Sequence, residues 1–213
     1  MMAVKVNEIF HSIQGESSRA GQPCVFIRLA GCNLRCAYCD TSYAYEQGLF
    51  MEIPDILEQV RRLRCGLVEV TGGEPLIQEE TPSLIGGLLD EGYTVLLETN
   101  GSIGIGVVDP RCIRIVDIKC PSSGMAGQNN LHNFKELGIK DELKFVIGNR
   151  EDYEFARDLL SSFPAIVCKI NFSPVSGTLA PRSLAEWILH DHLPVRLNLQ
   201  LHKIIWGPEA RGV

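Results

Sequence analysis

No stretch of this 213-residue chain approaches the 18 or more uninterrupted apolar residues of a membrane-spanning helix. The first residues, MMAVKVNEIF, lack the basic segment followed by an apolar segment that marks a secretory signal. Basic runs are missing too. A formal charge of −6 and a pI near 5.4 argue against nonspecific nucleic-acid binding, which runs on phosphate neutralisation by Lys and Arg. A small molecule is the default partner. Low-complexity segments, long repeats and Gly/Ser/Pro-rich linkers are absent, so a single domain over residues 1–213 is expected. The eight cysteines do not imply disulfides, because a chain of this length with 45% apolar residues builds a core without staples. Reduced thiols and a cytoplasmic location follow as expectations.

What the chain does have is an alternation of short β-rich runs and helical stretches. Strands are predicted over 4–10, 24–30, 66–71, 93–99, 113–119, 142–148, 165–172 and 195–201. Most read as continuous apolar runs, which suits strands buried on both faces. Between them, Pro54 suits the first turn of a helix to about Arg64, with Ile56, Leu57, Val60 and Leu63 on one face. Thr81 is expected to cap a helix that Gly92 stops, and 151–162 and 181–190 read as helices. Such alternation implies a parallel α/β sheet, either open and doubly wound or a complete or partial barrel. TGGEP (71–75), TNG (99–101), KCPSSG (119–124), GNR (148–150), SPVSG (173–177) and HK (202–203) all follow strands. In parallel α/β folds, ligands sit at the carboxyl ends of the strands, so these loops mark the site.

The unusual chemistry lies in GCNLRCAYCDTSYAY, residues 31–45, where Cys32, Cys36 and Cys39 fall within eight positions. One reading is three small side chains on a helix face, although Gly31 and Asn33 favour a loop. A second is structural zinc, which wants four protein ligands; His11 or Asp40 could complete the set, but no second Cys-x2-Cys or His pair exists. The third is an iron–sulfur cluster. A 4Fe–4S cube takes four thiolates, so three leave one iron open to a bound small molecule. If that molecule is a sulfonium, one-electron reduction cleaves a carbon–sulfur bond and leaves a carbon radical. Cys24, Cys65, Cys112, Cys120 and Cys168 are scattered and read as small core residues, with Cys120 the only one at a site-side loop tip.

Cys-x3-Cys-x2-Cys with Tyr38 before the last cysteine resembles the signature of the radical S-adenosylmethionine (SAM) superfamily, and TGGEP resembles its second motif. IFHSIQGESSRAGQPCVFIRLAGCNLRC, CDTSY, ETNG, DIKCPSSG, LKFVI and QLHKIIWG together resemble the 7-carboxy-7-deazaguanine synthase family over nearly the whole chain. The resemblance implies a partial (β/α)6-like TIM barrel. It implies a lyase that converts 6-carboxy-5,6,7,8-tetrahydropterin to 7-carboxy-7-deazaguanine with release of ammonia, using a 4Fe–4S cluster, SAM and Mg2+. It further implies a homodimer and an external electron donor of the flavodoxin or ferredoxin type.

By the same resemblance, Cys32, Cys36 and Cys39 hold the cluster and Thr41 holds magnesium. Tyr38, Asp40, Gly73, Glu74, Asn100, Lys119, Ser122 and Ser173 surround SAM, with Glu74 offering a carboxylate to its ammonium. Ile13, Gln14, Gly15, Glu16, Arg28 and Thr71 meet the substrate. Arg28, mid-strand among apolar neighbours, needs a partner, either a substrate carboxylate or a protein acid. Gln200 and His202 are further candidates. Two departures stand out: Ser17 replaces the glycine frequent in Gln-Gly-Glu-Gly, and the chain continues through IIWGPEARGV, which argues against a substrate contact near Val213. The rival readings are a glycyl-radical-enzyme activase and a non-catalytic metal-binding module.

Overall fold

The β-rich runs join one nine-stranded sheet in the computed structural model, which describes residues 2–213. In chain order the strands are β1 (Ala3–Ile13), β2 (Pro23–Leu29), β3 (Leu49–Glu52), β4 (Leu67–Gly72), β5 (Thr94–Thr99), β6 (Ile113–Ile118), β7 (Glu142–Ile147), β8 (Lys169–Pro174) and β9 (Arg196–Leu197). Their spatial order is β3-β1-β2-β4-β5-β6-β7-β8-β9. From β2 to β9 every neighbour is parallel, while β1 and β3 add an antiparallel flap. The order never reverses along the parallel part. A doubly wound sheet needs such a reversal, so the winding is that of a barrel left open at β9.

Helices α1 (Ile53–Leu63), α2 (Thr81–Asp90), α3 (Arg150–Ser161) and α4 (Pro181–His190) cover the convex face, and α5 (Leu201–Trp206) follows β9. Ile53, Ile56 and Val60 of α1 pack with Val25, Ile27, Val68, Val70 and Leu97 in one apolar cluster. A second cluster joins Val116, Ile118, Leu143, Phe145 and Phe172 to Tyr153, Ala156, Leu184 and Ile188 under α3 and α4. Strand side chains alternate between faces, so the intervening residues point into the barrel. Near the strand starts these are apolar: Cys24, Phe26, Leu67, Leu96 and Ile115. One step further along, they are charged: Arg28, Glu69, Glu98, Asp117 and Lys144.

The expectation of strands apolar on both faces is therefore corrected, because the inner positions turn polar midway. β8 starts four residues later than predicted, since its neighbour β7 begins only at Glu142, which pairs with Lys169. β9 keeps two residues instead of seven, pairing only with Asn171 and Phe172 at the sheet edge. Residues 198–200 of the predicted strand are irregular, and Leu201 begins the helix α5. Thr81 is the first helical residue rather than the cap, and its hydroxyl donates to the Pro75 carbonyl at 2.6 Å. Strand β3 was not predicted.

Candidate active site

The carboxyl ends of the strands and the barrel interior enclose one cavity of about 270 Å³. Cys32, Cys36 and Cys39 stand on its wall, each partly exposed, whereas Cys24, Cys112, Cys120 and Cys168 are buried. Cys120, read from the sequence as site-side, does not line the cavity. The cysteine loop is tied down by Gly31 N–H donating to Ala44 and Ala37 N–H donating to Ser123. Cys32 Sγ accepts from Leu34 N–H at 3.4 Å and from Asn100 Nδ2 at 3.8 Å. Among the described residues no three His, Cys, Asp or Glu side chains converge on a single metal ion. Three partly exposed thiols on one wall are the donor type that an iron–sulfur cluster takes.

Beside the cysteines, Gly73 fits against the loop backbone so closely that a Cβ would fall 1.9 Å from the Gly31 carbonyl oxygen. Only glycine serves there. Of the residues that the resemblance assigned to SAM, Tyr38, Asp40, Gly73, Asn100 and Lys119 line the cavity. Three others from that set do not. Glu74 is fully buried, its carboxylate accepting from Leu76 N–H, Thr99 Oγ1 and Asn100 N–H at 2.9, 2.8 and 2.6 Å. It braces the strand-end loops instead of facing a ligand. Burial pushes its pKa up against the pull of those donors. Ser122 donates from both its hydroxyl and its N–H to Asp152. Ser173 is buried behind the wall with its hydroxyl unpartnered. Asp40 is paired to Lys203 of α5 at 2.7 Å, and Thr41 Oγ1 lies 3.7 Å from Cys39 Sγ.

Of the predicted substrate residues, Ile13, Gln14, Gly15 and Glu16 reach the same cavity from its opposite end, whereas Arg28 and Thr71 stand near the carboxyl ends of β2 and β4. β1 runs antiparallel to β2, so the loop after Ile13 crosses the barrel from the starts of the parallel strands. Gln14 Nε2 donates to Glu69 of β4, Glu16 pairs with Lys144 of β7 at 2.7 Å, and Ser18 N–H donates to Glu142. Leu201 N–H donates to the Gly15 carbonyl, and His202 packs so tightly on Gly15 that a Cβ there would lie 2.1 Å from Nδ1. Gln200 Nε2 donates to Glu16 at 3.0 Å. Arg28 has a protein acid as partner: its Nε donates to Glu8 at 2.7 Å, and Tyr43 donates to the same carboxylate at 2.9 Å. A register slip between Val6 and Glu8 sets that pairing. Thr71, Ile13 and Arg28 all line the cavity.

Sequence reasoning missed the charged floor. Lys144 Nζ sits between Glu16 and Glu98, 2.8 Å from the latter, and Lys119 pairs with Asp117 at 2.8 Å. Burial alone would lower the Lys144 pKa, but Glu16, Glu98 and Asp117 outweigh it and hold the pKa well above the ordinary value. Burial, with the neighbouring Glu98 charge, pushes Glu69 well above the usual carboxylate range. The signal was available: Arg28, Glu69, Glu98, Asp117 and Lys144 each interrupt an apolar strand at an inward position. The tail was also misjudged. Pro208–Val213 fold back and line the cavity, with Arg211 over the ring of Tyr43.

The description of the Radical SAM superfamily matches residues 26–110. A 7-carboxy-7-deazaguanine synthase from Chlorobaculum tepidum is 49% identical over 99% of this chain and 97% of its own length. One from Koribacter versatilis is 44% identical over 99% of this chain and 100% of its own. The crystal structure of QueE from Escherichia coli superposes with a TM-score of 0.79 at 27% identity, over 93% of this chain and 94% of that one.

Proposed function

The chain belongs to the 7-carboxy-7-deazaguanine synthase family of radical SAM enzymes, and from that premise we propose that its cavity holds 6-carboxy-5,6,7,8-tetrahydropterin beside SAM and yields 7-carboxy-7-deazaguanine and ammonia. One observation carries the reading: three partly exposed cysteines and the Gln14–Gly15–Glu16 loop face each other across one small cavity. A 4Fe–4S cluster held by Cys32, Cys36 and Cys39 would supply the electron for reductive cleavage of SAM, and with it the radical chemistry needed on the pterin.

The protein's own contribution is holding and orientation. Cys32, Cys36 and Cys39 grip the cluster. Gly73 lets the strand-end backbone approach SAM, and Tyr38, Asp40, Asn100 and Lys119 surround it. Glu74 acts at one remove, by fixing Asn100. The acceptors of Glu16, Glu69 and Glu98 suit the amino and ring N–H donors of a pterin, and the guanidinium of Arg28 suits its carboxylate. Ile13, Gly15 and Thr71 complete that wall. Because Asp40 is engaged by Lys203, the hydroxyl of Thr41 is the protein oxygen offered to Mg2+, which accepts few protein ligands alongside water and substrate oxygens. The reading carries with it a cytoplasmic homodimer served by an external flavodoxin- or ferredoxin-type donor.

The test uses anaerobically reconstituted, dithionite-reduced protein. A cluster resonance that shifts on adding SAM, followed by Mg2+-stimulated turnover of the carboxypterin, is the expected outcome. A responsive cluster without pterin turnover would overturn the substrate, and a cluster indifferent to SAM would overturn the whole assignment.

A further inference from the structure

The charges around the cavity are unevenly placed. Its floor is acidic, with Glu16, Glu69, Glu98 and Asp117 set against Lys144 and Lys119. The other side is cationic. There Arg28 lies 5.9 Å from the ring centroids of both Phe10 and Tyr43, and Arg211 lies 4.2 Å from the centroid of Tyr43. Of the acids acting on Arg28, Glu8 is engaged by Arg28 and Tyr43, and Asp40 is engaged by Lys203. Among the described residues no ion pair engages Arg211. Because Glu8 is shared by Arg28 and Tyr43, the second guanidinium on that ring has no acid paired to it, and stacking on an aromatic face does not neutralise its charge. A planar fork with free donors is the partner a carboxylate fits best.

We propose that Arg211, brought to the cavity by the C-terminal tail, is a second binding residue for the substrate's carboxylate, acting beside Arg28 on the ring of Tyr43. The inference rests on the pterin reading of the cavity. It also assigns an orientation: the donor edge of the ring goes to the acidic floor and the carboxylate to the two arginines. The tail thereby becomes a specificity element, selecting a carboxylated ring over a neutral one of the same shape.

The experiment measures anaerobic binding to the SAM-loaded holoenzyme by calorimetry, using the 6-carboxy-tetrahydropterin and its neutral 6-carboxamide. Wild type is expected to prefer the carboxylate. Arg211→Ala should lose about tenfold in affinity for the carboxylate, the size of one charge-assisted contact, while binding the carboxamide within about twofold of wild type. Arg211→Lys, which keeps the charge but not the fork, should fall between. If Arg211→Ala weakens both ligands equally, or neither, the tail arginine plays no part in carboxylate selection and the inference fails. If wild type binds neither ligand, the pterin reading itself falls and takes this inference with it.

Discussion

The convex and concave faces of the same sheet follow opposite rules. Outward residues such as Val70, Leu97, Val116 and Phe145 are apolar and fully buried beneath helices. Inward residues on those strands include Glu69, Asp117 and Lys144, also nearly inaccessible. Burying an apolar side chain stabilises by about 1.5–3 kcal/mol, whereas a buried charge is costly unless paired. The outer face thus holds the sheet together. The inner face draws on that stability to keep a polar cavity in a fixed shape.

Matched substitutions on the two faces should separate these roles. Leu97→Ala empties space in the outer cluster and should cost about 2–5 kcal/mol of unfolding free energy, leaving turnover per folded molecule near wild type. Lys144→Met removes the cation between Glu16 and Glu98, so two partly buried carboxylates lose their partner. We expect a loss of about 3–5 kcal/mol together with loss of pterin turnover. Adding Glu98→Gln should restore part of the stability and none of the activity. Denaturant titration and anaerobic assay of the three proteins check this, and full activity in Lys144→Met would erase the distinction between the faces.

The sequence made the outer face easier to read than the inner. Apolar runs marked most of the strands, and Pro54 and Gly92 marked ends of α1 and α2, because these signals are local. The three clustered cysteines, Cys32, Cys36 and Cys39, were equally plain, since their spacing and the loop residues lie within one short segment. The charged floor was not, although Glu69, Glu98, Asp117 and Lys144 were visible as interruptions. Each has meaning only once neighbouring strands set them side by side, and register is a property of the sheet. Glu74 shows the converse failure. Its motif was legible, but only the fold reveals that Thr99 and Asn100 already occupy its carboxylate. The tail was misjudged because nothing local signals that α5 returns the chain to the cavity.

The acidic floor also leaves a mark on pH dependence. Burial, reinforced by Glu98, raises the Glu69 pKa well above 4.5, against the pull of Gln14 and Lys144. Between its unfolded and folded pKa values the native state binds the extra proton, so stability from this group is full below about 4.5 and is lost as pH rises through the folded value. Glu69→Gln keeps an oxygen for Gln14 and removes the titration. The urea midpoint of this variant should fall less than that of wild type as pH rises above 5. Parallel profiles would show that Glu69 is ionised in the native protein, and the contrast between the faces would soften accordingly.

Ser17 offers the finest distinction, at the rim of the loop that crosses the barrel. Its φ of 62° lies in the left-handed region, which costs an L-residue about 1–2 kcal/mol and glycine nothing. The side chain repays some of that, because its Oγ accepts from Arg19 N–H at 3.2 Å. Glycine also carries more chain entropy into the unfolded state, about 0.5–1 kcal/mol. The three terms nearly cancel, which explains why a serine is tolerated at a left-handed position. Ser17→Gly should therefore shift stability by less than about 1 kcal/mol and leave the affinity for the pterin unchanged, since Glu142 and Lys144 still anchor the loop through Ser18 and Glu16. A marked change in pterin affinity would mean that the serine sets the loop's shape rather than adapting to it.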